Sequence, residues 1–384
     1  MGSDIPLSLY VHLPWCVKKC PYCDFNSHAL RGASPAEVPE REYLDALLRD
    51  LDFELQEAEP RPLASIFFGG GTPSLFSGGA IRRVLEETAR RLPFAPDIEI
   101  TLEANPGTAD AANFRGYRAA GVNRLSIGVQ SFDAAQLKAL GRIHGPDEAR
   151  RAYALARASG FDNVNLDLMY GLPNQTLAQA QADLRAALEL APEHLSYYHL
   201  TLEPNTEFHA HPPPLPDQDA AWSMQEQGQE LLGAQGYAQY EVSAYARAGR
   251  RCRHNLNYWE FGDYLGIGAG AHGKRTQAHA IVRRARHKHP RTYLDAAGTQ
   301  AALQEHKAIP AADLPFEFAM NALRLNEGFR LPEFERRTGL PGSRLDRPLA
   351  HAAGKGLVER EGETVRPSAR GRALLNQLTA LFLP

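Results

Sequence analysis

The chain has 384 residues, and 42 lysines and arginines against 45 aspartates and glutamates give a formal net charge of −3. Hydrophobic residues at 43% and charged residues at 23% are typical of a globular protein and exclude a disordered or fibrous chain. The near-neutral charge argues against a dedicated nucleic-acid or membrane-surface protein, and the N-terminus lacks the features of a signal peptide. We therefore expect a cytoplasmic protein of two or three domains.

Short β-rich runs alternate with helical stretches over about the first 235 residues. Several runs are apolar at consecutive positions, which is typical of parallel strands covered on both faces. Six strand–helix units in series predict a parallel sheet, either an incomplete TIM-like barrel or an open doubly wound sheet. The predicted strands are 7–14, 65–71, 97–105, 124–130, 163–171 and 194–202, and the clearest helices are 42–58, 80–92, 147–160 and 178–190.

Polar and glycine-rich residues gather directly after these strands. Three cysteines follow the first strand, Gly69–Pro73 ends the second, and Glu103–Pro106 ends the third. Active sites in parallel α/β folds lie at the C-terminal ends of the strands. We therefore expect the chemistry of the protein at this edge of the sheet.

The three cysteines form a CxxxCxxC motif of Cys16, Cys20 and Cys23, and the remaining cysteine, Cys252, lies far along the chain. Three thiolates from one loop suit a [4Fe–4S] cluster with one iron free to bind a small molecule. A structural zinc site needs four ligands. Zinc with Cys252 or a histidine as the fourth ligand, and a ferredoxin-like cluster completed by Cys252, remain as alternatives.

Six runs extend the cysteine motif along the chain: YVHLPWCVKKCPYCDF (10–25), FFGGGTPS (67–74), LEANP (102–106), RLSIGVQSF (124–132), LGRIH (140–144) and NLDLMYGLPNQT (165–176). With them the sequence resembles the radical S-adenosylmethionine (SAM) superfamily and, within it, oxygen-independent coproporphyrinogen III oxidase and its relatives. The resemblance implies an α/β fold with a partial (β/α)6 TIM-like radical SAM barrel. It also implies a [4Fe–4S] cluster on the three cysteines, with SAM bound at the open iron.

The resemblance further assigns residues to SAM. Carboxylates can bind ammonium groups or ribose hydroxyls, amide and guanidinium groups can bind carboxylate or adenine, and glycine lets a ligand approach the backbone. Tyr10, Gly70 and Glu103 resemble contacts to the SAM on the cluster. Positions that contact a second SAM in the oxidase match Tyr22, Gly71, Thr72, Gln130, Arg142 and Asp167.

Two departures weigh against coproporphyrinogen decarboxylation. The oxidase has a further cysteine where this chain has Phe25, and it has a long N-terminal extension where only nine residues precede Tyr10. Residues 254–259 form an HNxxYW motif that resembles the heme-binding motif of heme chaperones related to the oxidase. His254 would then be the axial heme ligand.

The segment 241–291 carries 11 lysines and arginines against 3 acidic residues, a balance that suits two heme propionates. The arginines concerned include Arg251, Arg253, Arg283 and Arg284. The alternative is a packed strand and turn in which His254 only forms hydrogen bonds and the basic residues are a solvated face.

The sequence therefore predicts a radical SAM core over 1–240, a basic connecting segment with the HNxxYW motif over 241–307, and a small helical, winged-helix-like domain over 308–384. The resemblance implies a heme chaperone that delivers heme to respiratory cytochromes or other heme proteins. A coproporphyrinogen oxidase-type enzyme and a cluster-bearing DNA-binding regulator are the alternatives, although the acidic residues of 308–384 argue against nucleic acid. A homodimer and transient membrane association through partners remain open.

Overall fold

Buried apolar side chains dominate the longer strands of the protein. The computed structural model describes residues 4–32, 34–57 and 60–384. Six of the seven residues of Leu7–Leu13 are buried, as expected of a strand covered on both faces. The strands are β1 (Leu7–Leu13), β2 (Trp15–Cys16), β3 (His28–Ala29), β4 (Leu63–Gly70), β5 (Phe94–Ala104), β6 (Arg124–Gln130), β7 (Val164–Tyr170), β8 (His194–His199), β9 (Ala238–Gln239), β10 (Ala244–Ala246), β11 (Asp263–Ile267), β12 (His272–Thr276), β13 (Ile281–Arg286), β14 (Leu303–Ala308), β15 (Phe329–Arg330), β16 (Val358–Glu361) and β17 (Thr364–Pro367).

Most of these strands belong to one large sheet. Within the described ranges it contains twelve strands in the order β14-β13-β12-β11-β1-β4-β5-β6-β7-β8-β10-β9. The strands from β11 to β8 run parallel to one another, and the strands beyond them pair antiparallel. Because β14 and β9 form separate edges, the sheet is a partial barrel, and the predicted α/β fold class is confirmed.

Amphipathic helices connect the parallel strands and cover the sheet. Predicted helix 42–58 corresponds to α1, although residue 58 lies outside the described residues. Ser77 caps α2 by accepting a hydrogen bond from the backbone N–H of Ala80 at 3.1 Å. The helices are α1 (Glu40–Leu55), α2 (Gly78–Arg91), α3 (Ala111–Ala120), α4 (Ala134–Ala139), α5 (Pro146–Ala158), α6 (Leu177–Leu190), α7 (Glu207–Ala210), α8 (Gln218–Ala234), α9 (Arg253–Trp259), α10 (Pro290–Ala296), α11 (Leu314–Ala322), α12 (Leu331–Thr338), α13 (Asp346–Gly354), α14 (Ala369–Ala373) and α15 (Leu375–Ala380). Within the part of the chain described, no helix is both long and apolar enough to cross a membrane.

The segment 241–307 continues the barrel sheet. Its strand β11 pairs parallel with β1, and β12, β13 and β14 follow as antiparallel neighbours. The sequence predicted six parallel strands and missed β11, which is a short strand of five residues that includes Gly266. The division of the chain at 240 and 307 stays a prediction.

The C-terminal segment forms its own apolar core beside the barrel. Phe318 packs edge-on against Phe329 and Phe334, with ring centroids 4.9 and 5.2 Å away. Strands β15, β17 and β16 form a small antiparallel sheet, in which β15 lies between α11 and α12 along the chain and β16 and β17 follow α13. The helices followed by this small sheet agree with the predicted winged-helix-like arrangement.

Buried ion pairs connect α1 to the antiparallel strands. The Arg286 guanidinium donates to Asp50 through Nε at 2.9 Å and to Glu54 through Nη2 at 2.6 Å, and all three residues are buried. Arg284 and Arg275 also pair with Glu54. Removing one partner from buried pairs of this kind leaves an uncompensated charge in the interior, which is strongly destabilising.

We predict that Arg286→Gln lowers the free energy of unfolding by about 3–5 kcal/mol, because it leaves two buried carboxylates without their main cation. Urea unfolding measures the change. The matched control is Arg366→Gln, which breaks an exposed pair with Glu359 and is expected to cost less than about 1 kcal/mol. Equal losses in the two variants would contradict a stabilising role for the buried pairs.

Candidate functional site

A cavity of about 690 Å³ lies at the C-terminal ends of the parallel strands. Tyr10, Gly70 and Glu103, three predicted SAM contacts, line it from β1, β4 and β5. Aromatic residues at the end of α9 and just after it also line the cavity, as do residues of α11. The cavity therefore lies where the barrel, the 241–307 segment and the C-terminal domain meet.

The cysteine loop, residues 14–27, leaves the end of β1 and borders this cavity. Its base is a short parallel pairing of β2 with β3. Cys16 Sγ accepts a hydrogen bond from Thr72 Oγ1 at 3.3 Å, and Cys20 Sγ lies 3.8 Å from Arg142 Nη1. Cys23 Sγ lies 3.9 Å from Ser27 Oγ. The loop thus places the three predicted cluster ligands beside the glycine-rich turn, Arg142 and Ser27, and none of the three is among the residues that line the cavity.

Burial raises the pKa of the Cys16 and Cys23 thiols, and the neighbouring thiols raise it further. The three groups are therefore close enough to interact electrostatically. Across the described ranges, however, no group of three His, Cys, Asp or Glu side chains has the spacing of a formed metal site. Cys252 does not join them: it is fully buried, with its Sγ 3.5 Å from Glu99 Oε1.

The turn after β4 packs against the base of the cysteine loop. Gly70 has a φ of +113°, and a Cβ there would lie 2.5 Å from the His12 ring. A Cβ on Gly71 would lie 2.5 Å from the carbonyl oxygen of Trp15. Only glycine fits these two positions without moving the loop.

Glu103 is a half-buried residue that lines the cavity. It accepts a hydrogen bond from the Gly70 backbone N–H at 3.2 Å. Burial, together with the nearby Asp167, raises the pKa of Glu103 to about 8. Burial therefore disfavours the ionised form of this carboxyl, and a ligand that brings a positive charge or hydroxyl donors would stabilise the ionised form.

None of the six residues predicted for a second SAM lines the cavity. Gly71 and Thr72 lie at the cysteine loop, and the other four form two groups. Arg142 Nη2 donates to the Gly128 carbonyl at 2.6 Å, and its buried Nε has no hydrogen-bond partner among the described residues. Gln130, at a φ of +70°, accepts from the Tyr198 hydroxyl at 2.7 Å. Tyr22 is half-buried, and it helps to raise the pKa of Arg142 against the lowering effect of burial.

Asp167 belongs to the second of these groups, inside the barrel. Its carboxylate accepts hydrogen bonds from Ser126 Oγ at 3.1 Å and from Asn165 Nδ2 at 2.8 Å. Burial raises the pKa of Asp167. Existing partners therefore already occupy much of its hydrogen-bonding capacity.

His254 lies on α9, with 1% of its surface exposed, and does not itself line the cavity. Its Nδ1 is 2.8 Å from Ser65 Oγ, and its Nε2 is 2.9 Å from the Tyr258 hydroxyl. The ring stacks on Phe67 at a centroid distance of 5.0 Å. Burial and the nearby Arg124 lower the pKa of His254 to about 3, so the imidazole is neutral.

Tyr258 separates His254 from the cavity. The Tyr258 ring packs edge-on against His254 at 4.8 Å, and Tyr258 and Trp259 both line the cavity. Sequence reasoning missed this partner because it did not predict a helix over the motif. In a helix, residues four apart share a face, so the HNxxYW spacing contained the signal.

The arginines predicted to meet heme propionates have other partners. Arg251 pairs with Glu327, Arg253 with Asp97, Arg283 with Glu317, and the buried Arg284 with Glu54 and Glu57. Of the four, Arg283 alone is among the residues that line the cavity. These four arginines of the basic segment are thus engaged in ion pairs within the protein.

The comparisons with known proteins agree with this architecture. Residues 10–187 match the Radical SAM superfamily, and residues 309–374 match the HemN C-terminal domain. The structure of coproporphyrinogen III oxidase (HemN) from Escherichia coli matches with a TM-score of 0.82 and 25% identity, over 99% of this chain and 90% of that chain. Heme chaperone HemW from Escherichia coli is 52% identical, and HemW from Haemophilus influenzae is 51% identical. Each match covers 98% of this chain and 98% of the relative.

The barrel, the position of the CxxxCxxC motif and the superfamily match define a radical SAM protein with a HemN-like C-terminal domain. Within this group the chain is about half identical to the two heme chaperones over its full length, against 25% to the HemN structure. The chain belongs to the heme chaperone HemW family. The predicted family and the predicted radical SAM barrel are confirmed.

Proposed function

We propose that this protein is a heme chaperone that carries a [4Fe–4S] cluster, binds SAM beside it, and binds heme in the cavity. It acts in the cytoplasm and delivers heme to heme-accepting proteins such as respiratory cytochromes. The observation that carries the proposal is the cavity lining, which combines Phe25 of the cysteine loop with Tyr258 and Trp259 of the HNxxYW motif. Residues of the loop that would hold the cluster and residues of the HNxxYW motif thus line the same cavity.

The donor set supports the cluster. Cys16, Cys20 and Cys23 provide three thiol ligands on one loop, and the loop is partly exposed, so iron and sulfide have access. The cluster supplies an iron with one free coordination position. Thr72 Oγ1 donates toward Cys16, which opposes part of the rise that burial causes in the pKa of that thiol, and the Arg142 guanidinium lies beside Cys20.

The strand ends support SAM binding. Gly70 leaves backbone accessible in the cavity, and Tyr10 and Glu103 flank it. Glu103 offers a carboxylate to an ammonium group or to ribose hydroxyls. Binding a second SAM beside Tyr22, Gln130 and Arg142 remains a proposal from the resemblance.

The aromatic lining supports heme. Phe25, Tyr258, Trp259 and Tyr264 provide apolar and stacking surface for a porphyrin. The neutral imidazole of His254 is the form that binds iron. Because the Tyr258 hydroxyl occupies His254 Nε2, axial ligation at this nitrogen requires that the hydroxyl move away.

A coproporphyrinogen oxidase-type activity is the second candidate, favoured by the similarity to the HemN structure. Phe25 argues against it. Its side chain is 59% exposed and lines the cavity at the position where the oxidase has a further cysteine. The apolar ring instead adds to the surface available for heme.

For the cluster, we predict that anaerobic reconstitution with iron and sulfide gives an oxygen-sensitive [4Fe–4S] absorbance. Joint replacement of Cys16, Cys20 and Cys23 by alanine abolishes it. The matched control is Cys252→Ala, which retains it because Cys252 is enclosed in the protein interior beside Glu99. Loss of the absorbance in the control would indicate a four-cysteine site instead.

For SAM, we predict that affinity rises with pH through about 8, because Glu103 is protonated below that value and must ionise to accept from an ammonium or hydroxyl group. Isothermal titration across pH 6.5–9 measures this. Glu103→Gln weakens binding at high pH by about tenfold or more, the loss of a charged hydrogen bond, and flattens the profile. An unchanged profile in this variant would exclude Glu103 as the titrating group.

For heme, we predict a saturable Soret band with a 1:1 endpoint. His254→Ala weakens or shifts the band because it removes the axial ligand. Tyr258→Phe tightens binding by about fivefold. In the wild-type protein His254 Nε2 must give up its hydrogen bond to the Tyr258 hydroxyl, worth about 1 kcal/mol net, before it can bind iron, and the variant lacks that bond. The control is His211→Ala, which changes an exposed histidine that does not line the cavity.

An unchanged spectrum and affinity in His254→Ala would show that the motif is structural. Sustained, cluster-dependent conversion of coproporphyrinogen III by the wild-type protein would favour the oxidase alternative. Both assays use the same reconstituted preparation, so a failure of heme binding cannot be assigned to a missing cluster.

A further inference from the structure

Asn26 fixes the cysteine loop to the segment that joins β11 to β14. Its Nδ2 donates to the carbonyl oxygens of Ala269 at 2.8 Å and Lys288 at 2.9 Å. The backbone carbonyl of Asn26 accepts from His12 Nε2 at 2.8 Å. A Cβ on Gly270 would lie 2.3 Å from Asn26 Nδ2, so the two chain segments are in direct contact. This contact holds Lys288 against the cysteine loop.

Two lysines line the cavity on either side of this contact. Lys19 belongs to the cysteine loop and Lys288 to the segment after β13, and both side chains are exposed. Lys19 Nζ donates to the Phe25 carbonyl at 3.1 Å, which leaves two of its three donors available. In the described part of the chain, neither ammonium has a carboxylate ion-pair partner.

The other cations of the cavity lining are already compensated. Lys274 is buried and pairs with Asp263 at 3.0 Å, and Arg283 pairs with Glu317. Asp24, on the same loop as Lys19, and Glu103 are the acidic residues among the described lining residues, and neither forms an ion pair with Lys19 or Lys288. The lysines are therefore the cations that a bound anion can engage without breaking an existing ion pair.

We propose that Lys19 and Lys288 form the carboxylate-binding end of the cavity and bind the propionates of a porphyrin whose ring lies against Phe25 and Trp259. The assignment rests on the proposed heme-binding function and names the groups that orient the ligand. It replaces the four arginines that the sequence favoured, Arg251, Arg253, Arg283 and Arg284, each of which forms an ion pair within the protein. An aromatic surface next to two ammonium groups matches a flat apolar ring with two carboxylates.

The test compares hemin with hemin dimethyl ester, which has the same ring and no free carboxylate. Soret titrations of the reconstituted full-length protein give the two dissociation constants, and their ratio measures recognition of the carboxylates. We expect the wild-type protein to prefer hemin by about tenfold, from roughly threefold for each partly exposed ion pair. The preference should decrease as salt is raised from 50 to 500 mM.

The variants are Lys19→Gln with Lys288→Gln, and Lys288→Gln alone because it leaves the cysteine loop unchanged. We expect the double variant to bind both ligands equally and the single variant to lose about threefold of the preference. The matched control, Arg251→Gln with Arg253→Gln, keeps the wild-type ratio. Cluster absorbance is recorded for each preparation, so damage to the loop is detected.

Equal binding of hemin and its ester by the wild-type protein would overturn the carboxylate subsite and leave the heme-chaperone proposal intact. So would a wild-type ratio in the double variant with its cluster present. Failure of the wild-type protein to bind either ligand would overturn both proposals. If the preference for hemin falls in the arginine control and is unchanged in the lysine variants, the arginines and not the lysines bind the propionates.

Discussion

The site depends on the close approach of two backbones at the ends of β1 and β4. Gly71 N–H donates to the Leu13 carbonyl at 2.8 Å, and Thr72 N–H donates to the Trp15 carbonyl at 2.8 Å. The missing side chains of Gly70 and Gly71 make this spacing possible. These two bonds lie where the cysteine loop leaves β1, so main-chain contacts set the starting position and direction of the loop. Thr72 then extends the same contact to the first thiol.

The parts predicted well from sequence are those governed by local pattern. Runs such as Leu7–Leu13 are mostly apolar, with three consecutive residues at Leu9–Val11, and this pattern favours a strand that is covered on both faces. The CxxxCxxC spacing depends only on one loop. The helix over His254 was missed because α9 has only seven residues and no strong apolar period. Strand β11 was missed for a related reason, since glycines surround and interrupt it.

Charge patterns were less informative than strand patterns. The 11-to-3 basic excess of 241–291 indicated an anion site, yet Arg284 and Arg286 pair with carboxylates on α1. Those carboxylates lie far away in sequence, so no local count identifies them. The same limit explains why Lys19 and Lys288 did not stand out. A residue count gives the number of charges, whereas their availability to a ligand depends on tertiary partners.

The place of β1 in the sheet has a consequence for the order of maturation. Strand β1 lies between β4 and β11, so the first strand of the chain is completed by a strand that begins at Asp263. Asn26 in turn bonds to Ala269 and Lys288. During synthesis the cysteine loop emerges early but lacks these neighbours until more than two thirds of the chain has been made, and such distant pairings form slowly. Until then the thiols are held by an unfinished sheet, so iron and sulfide delivered after release from the ribosome would meet a better ordered loop than during translation.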